Sequence, residues 1–136
     1  MSDLPLAGIK IIDLTRVLAG PLSAQMLADL GAEVIKIERP GSGDDARAFG
    51  PPYLADPEGR QNNNNSFYLC ANRGKKSVTV DIAKPEGQEI VRALAKSADI
   101  MMENFKVGDL RRYRLDYESI RAVNPAIIYC SVTGFG

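Results

Sequence analysis

Residues 8–38 read GIKIIDLTRVLAGPLSAQMLADLGAEVIKIE, and the fold is decided there. GIKIIDL is an apolar run with three isoleucines, short enough to be a buried strand. In AGPLSAQMLADLGA, the residues Leu22, Met26, Leu27 and Leu30 recur at helical spacing. Gly31 stands where a helix C-cap glycine belongs. EVIKIE is a second strand. A helix between two such strands is a βαβ crossover, which requires a parallel sheet and opens a ligand crevice at the carboxyl ends of the strands. That crevice is expected at residues 15–21 and at Glu38 and Arg39.

Beyond this unit, residues 39–66 hold four prolines, four glycines and four consecutive asparagines, without periodicity. A loop of this length is expected to be a functional lid or a disordered segment, with disorder centred on residues 62–65. Residues 67–71 make one helical turn and NRGKK at 72–76 a basic turn. Val78, Val80 and Ile82 alternate with polar neighbours, the pattern of a half-buried strand over 77–82. Pro85 starts a helix to residue 97 that is expected to bury Ile90, Val91 and Leu94. A fourth strand is expected at 99–103, short helices at 107–113 and 117–123, and a last strand at 126–132. Five strands, mostly separated by helices, give an α/β fold, a doubly wound parallel sheet.

Composition narrows the chemistry. The chain has 136 residues with 17 basic and 17 acidic side chains, and this balance argues against nucleic-acid binding. No apolar run approaches the roughly 18 residues of a membrane-spanning helix, and the N-terminus lacks a signal-peptide core. A soluble cytoplasmic protein is the expectation. There is no histidine, so a His-ligated metal, a Ser-His-Asp triad and a Cys-His pair are excluded within these residues. Cys70 and Cys130 are expected to be inert core residues. The chain stops just after a strand and a Gly-bounded turn, the ending expected of one cut short.

Several positions could carry a ligand. Residues 15–21 form either a ligand loop at a helix N-terminus or a plain βα turn. The dinucleotide fingerprint G-x-G-x-x-G is absent, which weakens an NAD site despite Glu38 at the end of the second strand. Arg39, Arg73, Lys75, Lys76, Lys106, Arg111 and Arg112 form a cationic set, most of them just before or just after expected strands. They either converge on phosphates or are solvated surface charges. Asn104 and Phe105 follow the fourth strand, as adenine contacts or as a capping Asn and a core Phe.

The segments GIKIIDLTRVLAGP, LADLGAEVIKIERPGSGDDAR, NRGKKSVTVDI, ADIMMENFKVGDLRRYRLDYESI and NPAIIYCSVTGFG, in this order, resemble the class III CoA-transferases, the CaiB/BaiF family, which includes formyl-CoA and succinyl-CoA:dicarboxylate transferases. The resemblance implies a Rossmann-like sheet with flanking helices over residues 1–136, the incomplete N-terminal part of the family's large domain. It implies an acyl-CoA donor and a carboxylic acid acceptor as substrates, with no tightly bound cofactor, and an interlocked homodimer in full-length members. An aspartate attacks the thioester, and an aspartyl-CoA thioester passes CoA to the acceptor. Carried over by position, Val17, Leu18 and Ala19 border the thioester and pantetheine. Arg39, Lys75 and Arg112 meet the CoA phosphates. Leu69, Asn72, Asn104 and Phe105 line the nucleotide pocket.

Two departures from the family qualify the expectation. Some members place a glutamine where Leu18 stands, and leucine cannot bond a carbonyl oxygen. The family's nucleophilic aspartate lies beyond Gly136, and none of Asp13, Asp29, Asp81 or Asp99 takes its place. The segment is therefore expected to be inactive by itself, and a non-catalytic CoA-binding or assembly module is the alternative.

Overall fold

A computed structural model of the chain describes residues 4–135. Five parallel strands form the main sheet: β1 (Lys10–Asp13), β2 (Glu33–Glu38), β5 (Lys76–Thr79), β6 (Ile100–Glu103) and β7 (Ile128–Ser131). Their order across the sheet is β5-β2-β1-β6-β7. The chain therefore winds outward from β1 in one direction, returns, and winds outward in the other. The reversal falls between β1 and β6, where Ile12 pairs with Met101 on one side and with Ile35 on the other. In a doubly wound sheet this switch point is where the carboxyl ends part to leave a crevice.

Alternation along the strands divides the core in two. Ile11, Val34 and Met102 point to one face, where Ala24 packs on them from helix α1 (Ala19–Asp29). Ile12, Ile37 and Met101 point to the other, under Val91 and Ala95 of α3 (Pro85–Ala95), Leu110 of a 3-10 turn (Asp109–Tyr113) and Ile120 of α4 (Tyr117–Arg121). Pro85 occupies the first helical position of α3, as its fixed φ favours. Gly31, at φ +105°, ends α1 with its N–H on Ala28 O.

Packing departs from the sequence pattern in several places. The helical stripe of α1 faces outward: Leu22, Met26 and Leu30 are 40%, 61% and 46% exposed, and the buried residues are Gly20, Pro21, Ala24 and Gln25. Small residues let α1 lie close to the sheet, and of the expected stripe only Leu27 packs partly against the core, while Leu22, Met26 and Leu30 turn outward. In α3, Val91 is buried but Ile90 is 48% exposed. β5 is shorter than residues 77–82 and all four of its residues are exposed, because it is an edge strand; Val80, just after it, reaches the core. The helical turn expected near 107–113 is 3-10. Cys70 is exposed and Cys130 half-buried, so neither is a fully buried core residue.

Residues 39–66 have structure of their own. They carry a 3-10 turn (Asp45–Ala48) and an antiparallel hairpin, β3 (Tyr53–Ala55) with β4 (Gln61–Asn65), which leads into α2 (Ser66–Cys70). The asparagine run is β4. Its last member, Asn65, is fully buried: it caps α2 by accepting the Tyr68 N–H and donates to Ala46 O. An Asn tract reads as disorder by composition, yet here one of its amides is a buried connector.

Candidate functional site

A cleft of about 200 Å³ lies at the carboxyl ends of β1, β2 and β5. Its apolar wall is Leu14, Ile37, Val80, Ile82, Phe105 and Tyr113; Arg16 and Arg39 stand at its rim, and the buried Glu38 and Asp44 lie beneath them. Mixed linings of this kind, mostly apolar with a few placed charges, suit a planar ring carrying anionic groups. Phe105 has the Arg16 guanidinium 4.5 Å from its ring centroid, a cation–π contact at the mouth of the cleft. Arg16 also pairs with Asp45 at 3.1 Å, and Arg39, 55% exposed at its side chain, lies 3.8 Å from the same carboxylate.

The turn at residues 15–21 is fixed from below by side chains of five separate segments. Asp13 Oδ1 accepts the Thr15 N–H at 2.9 Å and the Thr15 hydroxyl at 2.5 Å. Lys36 Nζ donates to Thr15 O, and Asn104 bonds both the N–H and the carbonyl of Arg16. Asp44 Oδ1 accepts the Val17 N–H at 3.0 Å, and Lys75 Nζ donates to Pro21 O at 2.8 Å. Gly20 is required, because a Cβ there would collide with the Thr15 side chain. This turn is preorganised, as a binding loop on a rigid scaffold should be.

Two ion pairs lie inside this frame. Lys75 contacts Asp13 at 2.8 Å with side chains 2% and 0% exposed, and Lys36 contacts Asp44 at 2.8 Å with 1% and 0%. Burial lowers the Lys75 ammonium pKa, while Asp13 opposes that and Lys36 adds to it. Glu38 is the hub of the 39–70 segment: it accepts from Arg47, Tyr68, Ser77 and the Asp44 N–H. Burial pushes the Glu38 carboxyl up, but these hydrogen bonds outweigh it and hold its pKa at about 2.

These placements correct some expectations. Lys75 does not point to a ligand: its three donors go to Asp13, Pro21 O and Asn72 Oδ1. Asn72 is correspondingly spent on Lys75 and on Tyr68 O. The Asn104 side chain holds the Arg16 backbone, leaving Phe105 as the ring beside the cleft. Leu18 (39% exposed) is the N-cap of α1, without a side-chain cap bond, Ala19 is its first residue, and Val17 is half-buried beside them. Leu69 is 40% exposed on α2. Arg112 is exposed and lies over Tyr113, itself a cleft residue, at 4.7 Å. Of the ten expected residues, Arg39 and Phe105 line the cleft directly.

Sequence reasoning missed Lys36, Asp44 and the wall from 80–83. One signal was present: a lysine in the middle of EVIKIE, on a buried strand, demands a carboxylate partner. The Asp44-Asp45 pair eight positions downstream was one acidic candidate, beside Glu33 and Glu38.

Among the described residues no helix is long and apolar enough to cross a membrane. The family model for CoA-transferase family III matches residues 6–136. The succinate–glutarate CoA-transferase of Agrobacterium fabrum is 54% identical over 132 residues, covering 97% of this chain and 33% of that protein. Human succinyl-CoA:glutarate CoA-transferase is 50% identical over 132 residues, covering 97% of this chain and 28% of its own. A crystal structure of a CAIB/BAIF family protein from Brucella suis superposes with a TM-score of 0.90 at 52% identity, over 97% of this chain and 34% of that one. The chain thus spans about a third of the length of these relatives. With the switch-point turn, the cleft and the family match running along the same residues, the chain belongs to CoA-transferase family III.

Proposed function

We propose that this chain supplies the CoA-binding part of an enzyme that moves CoA from an acyl-CoA to a carboxylic acid, with no tightly bound cofactor. The observation that carries the reading is the cleft at the carboxyl ends of β1, β2 and β5, with Phe105 as a stacking face and Arg16 and Arg39 as cations at its rim. CoA has an adenine ring for the first and phosphates for the second. Arg112, over Tyr113 at the edge of the cleft, is a further phosphate contact within reach of the same ligand. The dicarboxylate substrates named for the Agrobacterium and human relatives make a succinyl-type donor and a dicarboxylate acceptor the first pair to try.

In such a transfer an aspartate carboxylate attacks the thioester carbon and releases CoA thiolate, forming a mixed anhydride. The thiolate then takes the aspartyl carbonyl, freeing the first acid, and the acceptor carboxylate takes the CoA by the same two steps in reverse. The carboxylates beside the cleft are poor candidates for that nucleophile. Asp13, Glu38 and Asp44 are buried in ion pairs, Asp45 pairs with Arg16, and Asp81 accepts the Ala83 N–H. We take the nucleophile to lie outside these residues, as the family resemblance implies, and the full-length enzyme to be a cytoplasmic homodimer.

Incubation with an acyl-CoA, followed by mass spectrometry, tests this directly. Reversible CoA binding in calorimetry without a covalent adduct is expected. A stoichiometric, hydroxylamine-sensitive adduct would mean that the nucleophile lies among these residues. A second reading, an assembly module, draws on the exposed stripe of Leu18, Leu22, Met26 and Leu30 along α1. Light scattering that shows association, without CoA uptake, favours it.

A further inference from the structure

Val17 has a φ of +72°. For a β-branched residue the left-handed region is a steric outlier, and such strain persists only where the surroundings over-determine it. Val17 lies between Arg16, whose backbone is clamped by Asn104, and Leu18, which precedes α1 without a side-chain cap. Its N–H is taken by Asp44 Oδ1 at 3.0 Å. The same oxygen accepts the Ala46 N–H, and Asp44 Oδ2 pairs with Lys36. Lys36 donates in turn to Thr15 O, two residues before Val17. Asp44 is itself held by its N–H on Glu38 Oε2, after Gly43, where a Cβ would collide with Glu38 and Arg47. The left-handed residue is thus pinned by a carboxylate with no solvent exposure, delivered by the segment after β2.

We propose that Asp44 is a positioning residue: it holds Val17 left-handed and so sets the course of the chain from the cleft residues Thr15 and Arg16 into the uncapped start of α1, and with it the affinity of the cleft for CoA. The functional half of this rests on the CoA reading above. Asp44 touches no reacting atom; it acts through the Val17 peptide. Lys36 serves the same end: its ammonium lies 2.8 Å from Asp44 Oδ2 and gives the buried carboxylate a counter-charge.

The test uses the 136-residue chain with Asp44→Ala and Asp44→Asn, each made with Val17 kept and with Val17→Gly. Two quantities are read. One is the intraresidue HN–Hα Overhauser effect at residue 17, strong only at positive φ, alongside amide exchange of Ile11, Ile12 and Val34. The other is CoA affinity by calorimetry. In Asp44→Ala the residue-17 signature is expected to fade while the strand amides stay protected, and CoA affinity to drop about tenfold. Asp44→Asn, which keeps an acceptor for the Val17 N–H, should fall between it and the parent. With Val17→Gly the same Asp44 changes should cost less affinity, because glycine adopts the left-handed region without strain. A merely structural Asp44 would cost the same in both backgrounds.

Retention of the positive-φ signature in Asp44→Ala, or an equal loss with Val17→Gly, overturns the proposal. If Asp44→Ala does not fold, Asp44→Asn makes both comparisons. If the unsubstituted chain takes up no CoA, the CoA reading fails on the calorimetric arm, and the Overhauser arm still decides whether Asp44 holds Val17.

Discussion

The Asn104 carboxamide closes a ring on the backbone of Arg16: its Oδ1 accepts the Arg16 N–H at 2.9 Å and its Nδ2 donates to the Arg16 carbonyl at 2.8 Å. The two residues sit after β6 and after β1, on either side of the switch point. A single side chain thus ties the two strand ends that frame the cleft. Asn104→Ala leaves both backbone groups half-buried and unpaired, which costs about 1–3 kcal/mol. Asn104→Asp retains the acceptor but sets a carboxylate against the Arg16 carbonyl. Urea denaturation is expected to rank stability as parent, then Asp, then Ala or below, with CoA affinity falling alongside. An Asn104→Ala chain that is fully stable yet has lost CoA would show that the side chain contacts ligand instead.

The Lys75–Asp13 pair invites the opposite test, since a phosphate-binding lysine and a buried structural lysine respond differently to removal. Lys75→Met strands the Asp13 carboxylate in a site with no solvent exposure, and breaking a buried pair from one side costs about 3–5 kcal/mol. That is a large share of a typical domain's stability. The double change Asp13→Asn/Lys75→Met removes both charges and is expected to recover part of the loss. A phosphate ligand would give the reverse: little change in unfolding midpoint, a large loss of CoA affinity, and no recovery in the double variant.

Glu38 predicts an acid transition with a defined window. Its folded pKa is held at about 2 against an ordinary value of 4.5, so the folded state favours the charged form. The stability this supplies, on the order of 3 kcal/mol, is present above about pH 4.5 and lost as the pH falls toward 2. Glu38→Gln keeps the shape but gives Arg47 no counter-charge. The gap in unfolding midpoint between parent and Glu38→Gln is expected to be widest above pH 4.5 and to narrow steadily below it. A gap that does not change with pH would mean that Glu38 contributes through packing alone.

Most of the scaffold was legible because it rests on local signals. The isoleucines of β1 and β2, Gly31 at the end of α1 and Pro85 at the start of α3 each specify their element without help from distant residues. What was illegible depends on long-range partners. Whether Leu22 and Met26 face in or out is set by the close approach of Gly20 and Ala24 to the sheet, not by the spacing of the leucines. Asn65 and Lys75 look like surface residues until their partners, 18 and 62 positions away, are brought beside them. The site divided in the same way. Arg39 and Phe105 reach the cleft because they follow strand ends, which are predictable, whereas the placement of Asp44 and Lys36 required the fold.

Arg39 is the residue whose role separates a CoA cleft from any other. It is half-exposed at the rim and 3.8 Å from Asp45, a separation too long for a tight pair, so its guanidinium is available to an incoming anion. CoA differs from dephospho-CoA by one phosphate, and from pantetheine by all of its phosphates and the adenosine. A guanidinium on that distinguishing phosphate forms charge-assisted hydrogen bonds that the smaller ligands cannot offer. Arg39→Ala is therefore expected to weaken CoA by about tenfold or more in calorimetric titration, and dephospho-CoA and pantetheine by about twofold or less. The change should leave the unfolding midpoint nearly unaltered, because an exposed arginine with one distant partner adds little to stability. Equal losses for all three ligands would count against Arg39 as a contact of that phosphate.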